Sequence, residues 1–134
     1  MKRNSILFAL SLLLCVGCGD KVSLKGKVVF SDDGSLLTTG VVLLETDTYL
    51  ARGMIKPDGT FVASSTSTND GLPPGIYRVS IRGAQKLIGH SKIGEDVFES
   101  LIDPKFADGT TSGITIEVKS PMKPVEIKDR YKEK

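Results

Sequence analysis

Few side chains in this sequence are equipped for chemistry, and they lie far apart. Cys15 and Cys18 stand at C-x-x-C spacing, the arrangement of a redox dithiol or of half a zinc site. A redox pair belongs at the start of a helix in a βαβ unit, where the helix end lowers the thiol pKa. Zinc needs two further ligands, and the rest of the chain offers one histidine, His90, and scattered carboxylates. Neither context is present. His90 would also have to be the base of any Ser-His-Asp triad, and Gly89-His90-Ser91 reads as an exposed loop. Asp32-Asp33 starts like a calcium loop, but the EF-hand pattern fails after Gly34, and a polar turn is the plainer reading. Tyr77 would suit a ligand contact, yet its place at a strand start favours a buried ring whose hydroxyl bonds nearby backbone. The residues thus define no catalytic set, no metal-ligating set and no cofactor-binding set.

The cysteines make better sense as part of an address. Met1-Lys2-Arg3-Asn4-Ser5 is a short cationic start, followed by the apolar run Ile6 to Val16 and then small residues. That order is the layout of a secretory signal peptide. A helix over the apolar run would cover only about 16 Å, roughly half a bilayer core, which is too short for a permanent span. Val16-Gly17-Cys18 resembles the lipobox of bacterial lipoproteins, in which a small residue precedes the cysteine that becomes the new N-terminus. Cys15 stands where that pattern usually has leucine, so a mis-registered lipobox or an ordinary soluble secretory signal is the alternative. The resemblance implies cleavage after Gly17, a thioether-linked diacylglycerol with added fatty acid such as palmitate on Cys18, and loss of Cys15 with the signal. It also implies an envelope location. Because Gly19, not aspartate, follows the lipidated cysteine, the outer membrane facing the periplasm or cell surface is favoured.

Four parts are expected: a signal peptide at 1–17, a lipidated N-terminus and tether at 18–21, one domain at 22–130 and a polar tail at 131–134. Lys2 and Arg3 carry the whole formal excess of +2, so the chain from Cys18 onward is formally neutral. A neutral domain lacks the basic face that phosphates require, and no nucleic-acid partner is expected. With Cys18 acylated no thiol is left for a disulfide, so the hydrophobic core alone must hold the fold.

That core is written in period two. Val22, Leu24, Val28 and Phe30 share one parity with Gly26, and Ser23, Lys25 and Lys27 take the other. Tyr77, Val79 and Ile81 alternate with Arg78, Ser80 and Arg82; Ile114, Ile116 and Val118 alternate with Thr115, Glu117 and Lys119; Val125 and Ile127 alternate with Glu126, Lys128 and Arg130. One apolar and one polar face is the signature of half-buried antiparallel strands. Gly40 to Thr46, Tyr49 to Ile55 and Thr60 to Ser65 supply three more, separated by turn residues such as Lys56-Pro57-Asp58-Gly59. The expectation is an all-β, seven-stranded antiparallel two-sheet sandwich. Val28, Phe30, Phe61, Tyr77, Val79, Ile81, Ile114 and Ile116 are its expected core.

The series Leu24-x-Gly26-x-Val28, Gly40-x-Val42-x-Leu44, Gly53, Pro57-Asp58-Gly59-Thr60-Phe61 and Gly75-x-Tyr77-x-Val79 resembles the carboxypeptidase regulatory-like domain. Short lipoproteins of planctomycete-type bacteria carry such a domain behind a lipobox, with segments like Ile102-Asp103-Pro104-Lys105-Phe106 and Thr111 to Val118. The resemblance, covering Val22 to Lys128, implies a transthyretin-like (prealbumin-like) sandwich and a non-catalytic binding, adhesive or stabilising role. The hydroxyisourate hydrolases share that fold but depend on several histidines and a C-terminal Tyr-Arg-Gly-Ser. This chain has one histidine, ends in Asp129-Arg130-Tyr131-Lys132-Glu133-Lys134, and echoes the tetrapeptide only in Tyr77-Arg78-Val79-Ser80, within a strand.

Gly83–Ser112 is too long for an ordinary connection. Glu95 and Asp96 suit a helix start, Val97/Leu101 and Phe98/Ile102 are apolar i,i+4 pairs, and Pro104 would stop the helix. Either the apolar residues cap one end of the sandwich, or the segment contacts an envelope protein or glycan while remaining dispensable to the sheets. Two functions follow from the sequence. One is a lipid-anchored, non-catalytic envelope sandwich with a structural or interaction role; the alternative is a small periplasmic hydrolase or metal-dependent enzyme using His90.

Overall fold

The structure is a computed structural model that describes residues 21–65 and 70–130. The expected signal peptide, Cys18 as the expected lipid-attachment residue and the expected tail at 131–134 lie outside the described residues. The chain forms β1 (Leu24–Phe30), β2 (Val41–Glu45), β3 (Leu50–Met54), β4 (Thr60–Ala63), β5 (Gly75–Arg82), β6 (Gln85–His90) and β7 (Asp96–Ser100). A 3-10 turn at Pro104–Ala107 precedes β8 (Thr115–Val118) and β9 (Val125–Asp129).

Seven of these strands build two sheets, one ordered β4-β1-β9 and the other β3-β2-β5-β8, while β6 and β7 pair separately as a ribbon. The two-sheet, all-β architecture is the expected one. One pairing departs from the expectation, because β1 and β9 are parallel. Strand direction explains this. The antiparallel pairings of β2 with β3 and β5, of β5 with β8, and of β1 with β4, joined by the antiparallel bridge Arg52↔Ser64, make the first six sheet strands alternate in direction, and β9 continues the alternation as the seventh. The first and the seventh then point the same way, and they become parallel as soon as they are neighbours. Period-two patterning fixes which face of a strand is buried but not which way its neighbour runs.

Between the sheets, Phe61, Leu24, Val28, Leu44, Val79 and Ile127 are fully buried or nearly so. Phe30, Tyr77 and Ile81 are buried as expected, whereas Ile114 and Ile116 are only half-covered. Ile116 lies on β8, an edge strand, so sheet neighbours cover it from one side only; the buried member of that series is Val118. Glycine is required on the inward face at two points. A Cβ on Gly26 would meet the Val125 carbonyl oxygen at 2.6 Å, and one on Gly53 would meet the Phe61 ring at 2.8 Å and the Val62 carbonyl oxygen at 2.9 Å. Both glycines let the Phe61 ring approach the backbone closely. The Pro57-Asp58-Gly59 turn forms as its residues demand: Asp58 Oδ1 accepts from the Thr60 amide at 3.0 Å and the Thr60 hydroxyl at 2.6 Å.

The 83–112 segment corrects two expectations. No helix forms over Glu95 to Ile102; Asp96–Ser100 is a strand that pairs with β6, placing Phe98 opposite Leu87. Residues four apart share a face in a strand as well as in a helix, so the apolar pairs fitted both. Pro104 begins the 3-10 turn instead of ending a helix, with Asp103 Oδ1 accepting from the Lys105 amide at 3.0 Å. Nor is the segment dispensable as a whole. Ala84, Ile102 and Phe106 are buried in the core, and the buried Ser112 hydroxyl donates to the Val79 carbonyl. Only the ribbon itself stands clear.

Candidate functional site

Both ribbon faces carry apolar side chains that the sandwich leaves exposed. Leu87 and Phe98 form a cross-strand pair on one face, and Ile88, Val97 and the turn residue Ile93 add to the apolar surface. Ile93, 80% exposed, is the most solvent-accessible large hydrophobic residue among those described. Polar partners hold the ribbon in register. Lys86 faces Glu99 at 3.8 Å, the Ser91 amide donates to the Glu95 carbonyl at 2.7 Å across the turn, and Leu101 N–H donates to the Ala84 carbonyl at 2.8 Å where the ribbon joins the core. β6 and β7 pair only with each other, so each keeps an open edge. The arrangement offers apolar side chains and unpaired backbone together, which is the chemistry of a docking surface.

His90 ends β6, and its Nδ1 lies 2.8 Å from Asp96 Oδ1 on the first residue of β7. An acid therefore stands within hydrogen-bond reach, as the enzyme alternative requires. Both side chains are more than half exposed, however, so water screens the pair. Ser91 beside it is a turn residue whose Oγ accepts from the Glu95 amide at 3.1 Å. The geometry is that of a cross-strand polar pair at the end of a hairpin. Asp33 likewise closes a local turn, its Oδ1 accepting from the Ser35 amide at 2.9 Å and the Ser35 hydroxyl at 2.6 Å. Among the described residues no three His, Cys, Asp or Glu side chains converge as a metal site.

Tyr77 takes the place that its position in the strand predicts. Its ring is buried, its hydroxyl donates to the Pro73 carbonyl at 2.7 Å, and Tyr49 packs edge-on with ring centroids 6.3 Å apart. Burial, and then the neighbouring Tyr49, pushes the Tyr77 phenol pKa up. The Tyr49 hydroxyl in turn donates to Ser65 Oγ; the Ser65 amide and hydroxyl both donate to Asp70, and Lys21 Nζ pairs with Asp70 at 3.1 Å. This chain of contacts ties the first described residue to the domain and was not legible in the sequence.

Asp129 was also missed. It is completely buried at the end of β9, and neither carboxylate oxygen has a hydrogen-bond partner. Burial pushes its pKa up to about 7; the nearby N–H of its own backbone opposes that shift, and the charge of Asp32 adds to it. Parity would have found it, because Asp129 falls on the inward series of Val125 and Ile127.

A scan of protein-family models finds no match, and no curated protein matches the chain. Among solved structures the chain is similar to BcpA*(D312A), the major pilin subunit of Bacillus cereus. That similarity has 12% sequence identity and a TM-score of 0.44, over 84% of this chain and 30% of the pilin. The fold by itself defines an all-β protein with two facing sheets and a projecting ribbon.

Proposed function

We propose that the protein is a lipid-anchored, non-catalytic β-sandwich of the cell envelope, transthyretin-like in topology and of carboxypeptidase regulatory-like type, whose partner contact is the β6–β7 ribbon. The observation that carries the interaction role is the ribbon's exposed apolar set, Leu87, Ile88, Ile93, Val97 and Phe98, on strands with open edges. Large apolar side chains concentrated on one projecting element mark an interaction surface. The anchor rests on the charged, apolar and small-residue order ending in Val16-Gly17-Cys18. It also fits the start of β1 at Leu24, only a few residues beyond Cys18. Residues Gly26 and Gly53, which make the Phe61 packing possible, belong to the series that resembles the carboxypeptidase regulatory-like domain.

Two measurements test this reading. In cells fed labelled palmitate, Cys18→Ala should lose the label and remain uncleaved, while Cys15→Ala should keep both label and cleavage. A photo-crosslinking residue at position 98 should give one adduct of defined mass in the envelope, whereas the same residue at exposed position 115, on β8, should give none. Label retained by Cys18→Ala would remove the anchor. Identical adducts from both positions would remove the ribbon contact.

The His90–Asp96 pair favours one second reading, a small periplasmic hydrolase. On that reading His90→Ala would abolish turnover of chromogenic esters by the full-length protein; on the favoured one there is no turnover to lose.

A further inference from the structure

A basic tract with an apolar floor crosses the outside of the sandwich, away from the ribbon strands. On the four-stranded sheet, Val41 and Leu43 of β2 point outward; Arg82 of β5 and Met54 of β3 sit beside Val41 in register, and Arg52 of β3 sits beside Leu43. The two arginines therefore flank a short apolar strip from opposite sides. The Arg52↔Ser64 bridge carries the surface on to β4, where Val62 lies opposite Lys25 of β1 and Thr60 opposite Lys27. Two grooves follow this path, one of about 760 Å³ over Val41, Leu43 and Met54 and one of about 510 Å³ over Thr60 and Pro124, and both are bordered by Lys56 and Val62.

The charge is one-sided. Lys25, Lys27, Lys56, Arg52 and Arg82 line the grooves against a single lining acid, Glu126, which is 3.4 Å from Lys27. Among the described residues no carboxylate lies within ion-pair distance of Lys25, Lys56, Arg52 or Arg82. Asp58 and Asp108 act on Lys56 and Arg82 only from further away. Unpaired cations above an apolar floor select a ligand that is anionic and apolar at once.

We infer that this tract binds an extended acidic polypeptide segment with apolar side chains interleaved among its carboxylates. From β5 to β1 the path crosses four strand spacings of about 4.8 Å each, or roughly 19 Å, the length of about six extended residues. Alternate side chains of such a segment would reach the Val41–Leu43–Met54 floor and the flanking cations in turn. Other polyanions fit less well. Single-stranded nucleic-acid sites use exposed aromatic platforms, and the one ring lining the tract, Phe61, is buried. A flat bilayer does not enter a concave groove. The site rests neither on the lipid anchor nor on the ribbon contact.

Full-length protein in neutral detergent micelles would be titrated into a fluorescein-labelled octapeptide of alternating glutamate and leucine, with anisotropy as the readout. We expect saturable binding that weakens several-fold when salt is raised from low to physiological strength. The double variant Arg52→Glu/Arg82→Glu should lose tenfold or more, Met54→Glu should lose severalfold, and Arg52→Lys/Arg82→Lys should stay within about threefold of the parent. These side chains are exposed, so far-ultraviolet circular dichroism should show the sheets intact in every variant. Phe98→Asp in the ribbon should leave peptide binding unchanged; loss there would move the peptide site to the ribbon and overturn the tract. An all-glutamate octapeptide that binds as tightly, binding unaffected by the double charge reversal, or no saturable binding would each overturn the proposal. So would heparin or phosphatidylglycerol vesicles that bind more tightly than the peptide and depend on the same arginines, because the occupant would then be a glycan or a bilayer.

Discussion

The Tyr77 hydroxyl donates a 2.7 Å hydrogen bond to the carbonyl of Pro73, four residues upstream. The bond fastens the turn before β5 to the strand itself and satisfies a phenol that is otherwise buried among apolar neighbours. Tyr77→Phe removes the donor, keeps the ring and leaves the Pro73 carbonyl to find water. We expect a loss of about 0.5–1.5 kcal/mol in urea unfolding. Tyr77→Ala also removes the ring and should cost roughly 3–5 kcal/mol. Equal losses for the two variants would mean that the ring contributes nothing beyond its hydroxyl.

Gly53→Ala is the smallest substitution that should damage the core. The added methyl would lie 2.8 Å from the Phe61 ring and 2.9 Å from the Val62 carbonyl, and the fixed β4 backbone cannot retreat without moving the ring. Overpacking of this kind costs about 1–3 kcal/mol. Gly94→Ala is the control for overpacking, since its Cβ would meet nothing within 4 Å; any loss there reflects the positive φ of that turn. A Gly53→Ala melting temperature equal to the parent's would show that Phe61 has room to shift.

Strand parity made most of this fold legible, because along most of their length the sheet strands bury one face more than the other. It failed in three places, each for a physical reason. The parallel β1–β9 pair depends on strand direction, which the pattern of buried residues does not encode. The ribbon exposes both faces, so β6 shows no apolar–polar alternation, and Leu87 and Ile88 are adjacent apolar residues with a bulge beside them. Asp129 sits at an apolar position of β9 and reads as part of a charged tail between Lys128 and Arg130. The basic tract escaped for another reason. Its cations come from β1, β3, β5 and the β3–β4 turn, and only the register of the strands brings them together.

Asp129 should make stability fall as the pH rises. In the unfolded chain its carboxyl releases a proton near 3.8, and in the folded protein burial holds that proton up to about 7. Below about pH 4 both states are protonated and the group contributes no penalty. Between about 4 and 7 the unfolded state ionises first, which favours unfolding progressively; above 7 both states are ionised and the penalty is complete. Each tenfold difference in proton affinity between the two states is worth about 1.4 kcal/mol, so a rise from 3.8 to about 7 makes the whole penalty of the order of 4 kcal/mol. Denaturant midpoints measured at pH 5 and pH 8 should therefore be lower at pH 8, and Asp129→Asn should shrink that difference. A difference of the same size in Asp129→Asn would assign it to other groups.

The 83–112 segment divides into a removable ribbon and an indispensable frame, and two excisions separate them. Ala84 and Leu101 are joined by a 2.8 Å backbone hydrogen bond, so their ends already lie side by side. Replacing Gln85–Ser100 with a short Gly/Ser turn should leave cooperative unfolding largely intact, because shortening a closed loop has only a small logarithmic entropy effect. Removing the whole of 83–112 also deletes the buried Ala84, Ile102 and Phe106 and the Ser112 bond to Val79. Phe106→Ala alone should cost about 3–5 kcal/mol, so the longer excision exceeds what a single domain of this size tolerates. Circular dichroism melts of the two excised proteins should accordingly show one cooperative transition and one broad, featureless slope. Cooperative melting of the longer excision would mean that the sandwich closes without Phe106. Collapse of the shorter one would make the ribbon part of the core, and its exposed Ile93 and Phe98 could no longer be read as a free docking surface.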